Sequence, residues 1–496
     1  MSYLSIELED YKDLYEQEAL VTRKLSKTNE QLKAELAQLK RLIFSSKSEK
    51  FVRFENTDQL NLFTIAPSSS LPEAAKETIK YQRNKKQHKG RNPIPEHLPV
   101  EEIIIEPQQD VTGLKRIGEE RTETLKYKPA SLIKKVVIRP KYAEQNGDGI
   151  VIAKLPSRTF PKLLAENCLL TYLIVNKIVS HLPFYRQIQI LKREYGLELS
   201  SSTINDWFIA VCTMLEPLYH SLQQKVLSTN YLQVDESPIK VMDSQKAGST
   251  HQGYMWVYHN PKSKMLFFNY RKGRGFNGPK EILTNFEGAL QSDGYKVYDK
   301  LGKLKKQITQ LGCLAHLRRK FFVAKDVDPE RAKFALEIIQ KVYAIEKRLK
   351  ESESIPSQIL QTRREQSSLL FSQLKQWLDE NELQVLPKSQ IGKAIRYALL
   401  QWPKIIATLE DGRYQLDNNW IENSIRPLAL GRKNYMFAGS HPGAERLAMM
   451  YSFFGSCKMN RVNPSLWLKE TLDVIHEHPI NKIDELLPIN SDTSNL

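Results

Sequence analysis

From Tyr231 the spacing of apolar residues changes from the period of helices to that of strands. Residues 231–241, 253–259 and 265–270 form three strand-like runs in close succession. A helix follows at about 279–286, then a fourth run at 289–292, and another apolar run precedes Cys313. Three consecutive strands, a helix and then further strands fit a mixed sheet with flanking helices. Residues 318–410 return to the helical period, with Leu336, Ile339, Val342, Ile345 and Leu349 on one face. They read as an insertion within the α/β domain, and a last set of helices runs over 419–487.

The first half is organised differently. Residues 4–44 read as a helix in which Leu25, Leu32 and Leu39 recur every seventh residue, with Asn29, Leu36 and Ile43 in the alternate seam. Such an a/d pattern suits a two-stranded coiled coil, with Asn29 selecting register; an amphipathic helix packed on its own domain fits the same spacing. Residues 61–98 lack an apolar period and carry Lys80, Arg83, Lys85, Lys86, Lys89 and Arg91 with no acid among them. That tract is either solvated linker or a phosphate-neutralising segment. Short β-like pieces at 103–105 and 132–138 suggest a small β module without cysteine. From Pro161, which suits a first helical turn, the pattern is helical, with Leu163, Leu164, Cys168, Leu169, Leu173 and Ile174 on one face. Residues 185–195, Gly196 and the Ser-rich start at 200 outline a helix-turn-helix, although an ordinary helical hairpin has the same outline.

Charge points to a polyanionic partner: 73 basic against 57 acidic residues give a net +16 over 496 residues. The cysteines Cys168, Cys212, Cys313 and Cys457 make no disulfide framework and fit a reducing compartment. The longest apolar stretch, 168–175, is far short of the roughly 18–20 residues that span a bilayer, and the N-terminal residues lack the pattern of a secretory signal. The expectation is a soluble, cytoplasmic protein with no membrane partner.

Three acids stand where a surface role is less natural. Asp235 falls inside a strand that should be mostly buried, so it needs a partner or a metal. Asp293 ends a strand, where ligand groups in α/β sheets gather. Glu422 sits in a packed helical segment with Arg426 one turn on. Converging carboxylates suit Mg²⁺, and a pair of such ions serves phosphodiester chemistry. Each acid also has a structural reading: a turn cap for Asp235, an Asx turn before Gly294 for Asp293, and an ion pair with Arg426 for Glu422.

Several longer segments, taken in order, resemble the transposases of the insertion sequence 66 family, one of the DDE transposases. They are residues 41–50, 182–187, 234–238 (Val-Asp-Glu-Ser-Pro), 292–295 (Ser-Asp-Gly-Tyr), 312–321, 417–426 continued by 430–440, 463–467 and 484–488. The resemblance covers nearly the whole chain and rests on order and spacing rather than on any one motif.

It implies a multidomain α+β protein: a leucine-zipper-like helix over 1–60, a basic linker over 61–98 and a small β module over 99–158. A helix-turn-helix-like region over 159–228 follows. A ribonuclease-H-like catalytic domain over 229–440 carries a helical insertion at about 318–410, and C-terminal helices fill 441–496. It implies Asp235, Asp293 and Glu422 as catalytic and metal-holding residues, with Mg²⁺ or Mn²⁺ as a pair of ions. Glu236 points to the opposite sheet face by strand alternation and takes no metal. Lys85, Lys86, Arg318, Arg319, Arg426, Arg432 and Lys433 are candidate DNA contacts. The implied partners are the element's terminal repeats, target DNA, further copies through the N-terminal helix, and accessory proteins of the same element. The implied activity is strand cleavage and strand transfer; the alternatives are a silent DNA-binding protein or repressor, and a nuclease that cuts without joining. One departure is the absence of the family's usual cysteine pair at 140–147. Cys313 and His316 form a Cys-x-x-His, but no second pair accompanies them, so no structural zinc is expected and core packing is the plainer role.

Overall fold

The computed structural model describes residues 157–242 and 248–489, the stretch 132–138, the strands at 141–143 and 150–152, and scattered positions between Glu18 and Lys33. It divides into two units, Lys47–Ile152 and the combination of Met1–Ser46 with Ala153–Leu496.

In the unit Lys47–Ile152, β1 (Lys141–Ala143) pairs antiparallel with β2 (Ile150–Ile152), Tyr142 opposite Val151. The strand expected at 132–138 does not form: those residues have no regular structure, and Ile138 is 81% exposed. A strand needs a ladder partner, and β1 and β2 pair only with each other among the described residues. The pieces at 103–105 and the basic tract with Lys85 and Lys86 lie outside the described residues.

In the larger unit, the described positions between Glu18 and Lys33 are helical, with Leu25 and Leu32 exposed. Leu36, Leu39 and Ile43 lie outside the described residues. The helices α1 (Asn167–Ile178), α2 (Phe184–Tyr195) and α3 (Ser201–Leu227) follow. Pro161 does not open a helix; the chain turns there, Leu163 N bonding Phe160 O, and Arg158 spans the turn to the carbonyls of Leu163 and Ala165. The buried face of α1 is therefore Leu170, Leu173, Ile174 and Ile178, while Leu164 and Cys168 are exposed. Gly196 ends α2 at φ 63°, a conformation open to glycine, and Ser200 caps α3 through Thr203 N. The α2–α3 corner has the expected helical-hairpin outline, but α3 continues for 27 residues and buries Trp207, Val211, Leu215, Leu222 and Val226.

The sheet comprises β3 (Tyr231–Met242), β4 (Thr250–Asn260), β5 (Met265–Arg271), β6 (Gly288–Gln291) and β7 (Ile308–Leu311), in the spatial order β5-β4-β3-β6-β7. β3, β4 and β5 are antiparallel; β6 and β7 run parallel to β3. Two short helices, α4 (Asn277–Ile282) and α5 (Lys296–Leu304), make the crossovers. At Gly288, φ is 124° and a Cβ would lie 2.3 Å from Asn230 O, so only glycine lets β6 start against β3.

Between β7 and the last helices stand α6 (Leu314–Ala324), α7 (Pro329–Glu351), α8 (Pro356–Thr362), a π-helical turn (Arg363–Ser367), α9 (Ser368–Glu382) and α10 (Gln390–Ala407). They have a hydrophobic core of their own, built from residues such as Leu317, Phe321, Ile339, Leu374 and Ile395. Arg363, 2% exposed, fastens it by pairing with Glu346 and donating to the carbonyls of Thr408, Asp411 and Tyr414. α11 (Asn419–Tyr435), α12 (His441–Met459) and α13 (Pro464–Val474) follow, and then a 3-10 helix (Ile480–Leu486).

Among the described residues, 159–228 and 441–489 share buried core with the sheet. α1, α3, α12, α13 and the strands β3, β4 and β5 contribute to one hydrophobic cluster. α12 also covers the edge of β5: the backbone N–H groups of Leu266 and Phe268 donate to Ser456 Oγ at 2.9 Å and Ser452 Oγ at 2.7 Å. Hydroxyls on one helix face thus satisfy an edge that would otherwise invite another strand.

Candidate active site

β3 sorts its side chains by alternation. Tyr231, Gln233 and Ser237 face α11 and the chain leading into it, through contacts with Gln415, Asp417 and Arg432, and Asp235 shares their face by alternation. Glu236 faces the other way. Its carboxylate, with a side chain 2% exposed, accepts from Arg274 and from Tyr298 OH at 3.1 Å, and Arg274 stacks 4.0 Å over the Tyr295 ring. Burial still raises the Glu236 carboxyl above the usual range despite the pull of Arg274.

Asp235 is recessed on the α11 side. Burial, then like charge from Asp293, Glu236 and Glu422, drive its carboxyl well above the usual range, against one hydrogen bond from Glu236 N. Asp293 follows β6, and its Oδ1 accepts from Tyr295 N at 2.9 Å, forming an Asx turn. Tyr397 OH holds its carbonyl from α10, and Gly294 turns at φ 91° against Gln401. Glu422 lies in the first turns of α11. It makes no ion pair with Arg426; its Oε1 faces His316 Nδ1 at 3.6 Å and its Oε2 faces Arg319 Nη2 at 3.8 Å. The three acids thus come from a strand, a strand end and a helix, and the charges of Asp293 and Glu422 join that of Glu236 in raising the Asp235 carboxyl.

A buried polar network carries α11 to β3. Gln233 Nε2 donates to Gln291 Oε1 at 3.0 Å and to Asp417 O at 3.2 Å. That leaves Gln233 Oε1 to accept from His259 Nδ1 at 2.9 Å. Burial pulls the His259 pKa down to about 3, so the ring stays neutral in this role. Tyr231 OH donates to Gln291 and accepts from Gln415 N. Asn418, fully buried, donates to Val234 O at 3.0 Å, and its backbone N–H reaches Cys313 Sγ at 3.2 Å. At its far end α11 is held again by Arg432 on Ser237 and Pro238, and by the bonds between Ala438 and the backbone of Lys240 and Met242.

Of the basic candidates, Arg319, Arg426 and Lys433 are exposed, while Arg318 is half-buried near the Phe322 ring. Arg432 is committed to β3. The spacing of residues did not reveal His316 beside Glu422, Asn418 on Val234, or Arg274 on Glu236. The Cys-x-x-His was a signal for the first, but its third neighbour comes from a distant helix. Cys313, His316 and Glu422 bring their ligand atoms within 4.8 Å of one another. None of the described helices is long and apolar enough to cross a membrane.

Residues 162–446 match the family described as "Transposase IS66 family". Residues 31–103 match an element described as "Transposase C of IS166 homeodomain", and residues 452–489 match the "IS66 C-terminal element". The chain is similar to a Sinorhizobium fredii (strain NBRC 101917 / NGR234) protein named "Uncharacterized protein y4jD", 31% identical over 486 residues, covering 92% of this chain and 94% of that one. A second protein of that strain, "Uncharacterized protein y4qI", is 30% identical over 476 residues, covering 92% of this chain and 88% of its own.

Proposed function

We propose that this chain, which belongs to the IS66 transposase family, cuts DNA at the ends of its own mobile element and joins those ends to target DNA. The observation that carries the reading is the crowding of Asp235. A carboxyl recessed on the central strand is raised first by burial and then by the charges of Asp293, its neighbour Glu236 and Glu422, with Asp293 and Glu422 arriving from two other elements. Like charges gathered in that way are costly unless a cation sits among them. The strand order β5-β4-β3-β6-β7, with the helical insertion before α11, supports a ribonuclease-H-like reading of the domain.

DDE transposases generally use a divalent metal. The donors of Asp235, Asp293 and Glu422 are all carboxylate oxygens, which suits Mg²⁺ or Mn²⁺, and these residues would hold one ion or a pair. When bound, the ion supplies Lewis-acid stabilisation of charge on the phosphate undergoing substitution. The chain's own residues do the positioning. Tyr295 N fixes the Asp293 carboxylate, and Asn418 and the Gln233–Gln291 network fix the approach of α11. Arg319, Arg426 and Lys433 offer positive charge on the exposed side for phosphates, in a chain of net +16. Association of copies through the N-terminal helix, and accessory proteins of the same element, belong to the same reading.

The experiment is strand cleavage and joining on DNA carrying the element's ends, with Mg²⁺ and with EDTA. Cut and joined products in Mg²⁺ alone are expected. Cutting without joining would replace the reading with a nuclease, and binding without cutting would replace it with a repressor of element ends.

A further inference from the structure

We propose that Cys313, His316 and Glu422 form a second cation site of softer character, selective for Zn²⁺ or a similar transition ion, whose occupation inhibits the protein by taking Glu422. Cys313 precedes α6 and His316 follows three residues later on the same helical face. α11 brings Glu422 to them, and the three ligand atoms lie within 4.8 Å of one another. Two of those atoms, His316 Nδ1 and Glu422 Oε1, are buried and have no hydrogen-bond partner, although they face each other at 3.6 Å. Unpaired buried polar atoms are costly, and a pair aimed at one point is what a cation between them would satisfy. Arg319 approaches the other oxygen of Glu422 and leaves Oε1 open.

The donor set decides the ion. Thiolate, imidazole and carboxylate are the usual zinc ligands, whereas Mg²⁺ prefers oxygen alone. Four-coordinate zinc with ligands at ~2.0–2.3 Å needs these atoms to close by no more than about 1 Å. Three protein ligands leave one position for water. A cysteine thiol is protonated near neutral pH and binds zinc as thiolate, so the entering ion must expel the thiol proton to solvent, one per ion bound. An ion held there ties Glu422 Oε1 to α6 and away from Asp235 and Asp293. The inhibitory half of the proposal rests on the reading that Glu422 serves the Mg²⁺ site; the binding half does not.

The probe is Co²⁺, titrated into the full-length protein in excess Mg²⁺ as a coloured stand-in for Zn²⁺. The expected result is a thiolate-to-cobalt charge-transfer band with four-coordinate visible bands, saturating at one ion and bleached by Zn²⁺. Cys313→Ser should abolish the band and Cys168→Ser should leave it. If Cys313→Ser melts with the wild type's cooperativity and keeps the band, the site is overturned, as it is if no thiolate band forms. His316→Gln serves should the serine variant not fold; it should weaken Co²⁺ binding by at least ~10-fold, and unchanged affinity overturns the site. In the cleavage assay with Mg²⁺, added Zn²⁺ should inhibit the wild type, and unimpaired cutting at saturating Zn²⁺ overturns the inhibitory half. Cobalt binding through Cys313 in a protein that never cuts DNA in Mg²⁺ would uphold the site and overturn the proposed chemistry instead.

Discussion

The side chain of Asn418 donates to the carbonyl of Val234 at 3.0 Å, tying the start of α11 to the residue before Asp235. It is one of the bonds by which the helix bearing Glu422 is registered on the strand bearing Asp235. Asn418→Ala should leave that buried carbonyl without its partner and cost about 1–3 kcal/mol. Thermal melts should register the loss, and DNA cleavage should fall more than DNA binding. Equal losses of both would mean that the tether serves only folding.

Asp293→Asn keeps an oxygen that can accept from Tyr295 N, so the Asx turn should survive. What is lost is one charged ligand oxygen. Cleavage should fall by roughly 10²-fold or more, the scale seen when one aligned electrostatic group is removed from a site. Gel-shift binding to element ends at one salt concentration should be unchanged. Wild-type cleavage rates in this variant would remove Asp293 from the assignment.

The raised carboxyl of Asp235 makes a stability prediction. In the unfolded chain it titrates in the ordinary carboxylate range; folded, it titrates higher. Between those values the native state holds more protons, so stability falls as pH rises through that window. Asp235→Asn removes the penalty. In EDTA at a pH above the window the variant should melt above the wild type, and the gap should close as pH drops below the ordinary carboxylate range. Mg²⁺ should raise the wild-type melting temperature and leave that of the variant unmoved. A Mg²⁺ response equal in both proteins would refute an ion bound at Asp235.

Leu25 and Leu32 are 64% and 60% exposed on the N-terminal helix, one heptad apart. If that seam meets a second copy, replacing both with Lys places charge in an apolar interface and should dissociate it. Light scattering should report a smaller mass for the double variant. An unchanged mass would assign association to another surface.

Much of the sheet could be read from periodicity, because strands with one buried face and one helix-covered face keep a short apolar repeat. β3, β4 and β5 fall within a few residues of the runs at 231–241, 253–259 and 265–270. The helical character of 318–410 was equally legible, since long amphipathic helices such as α7 carry many repeats of one signal. Residues 132–138 were misread because β-prone residues do not make a strand without a partner to pair with. Pro161 was misread because its fixed φ serves a turn as well as a helix start.

The sequence by itself determined which residues could carry the chemistry: three acids in apolar surroundings, a Cys-x-x-His, and an ordered run of motifs across the chain. It determined the order of strands and helices along the chain, because local periodicity survives without tertiary contacts. Only the tertiary structure decided the partners. Glu422 could be paired with Arg426 on local spacing, yet α11 turns it toward His316 and Arg319 of α6. Asp235 gained its raised carboxyl first from burial in the packed domain, then from the charges of Asp293, Glu236 and Glu422. Such contacts depend on how helices pack across a sheet, and packing joins residues whose separation along the chain carries no period to read.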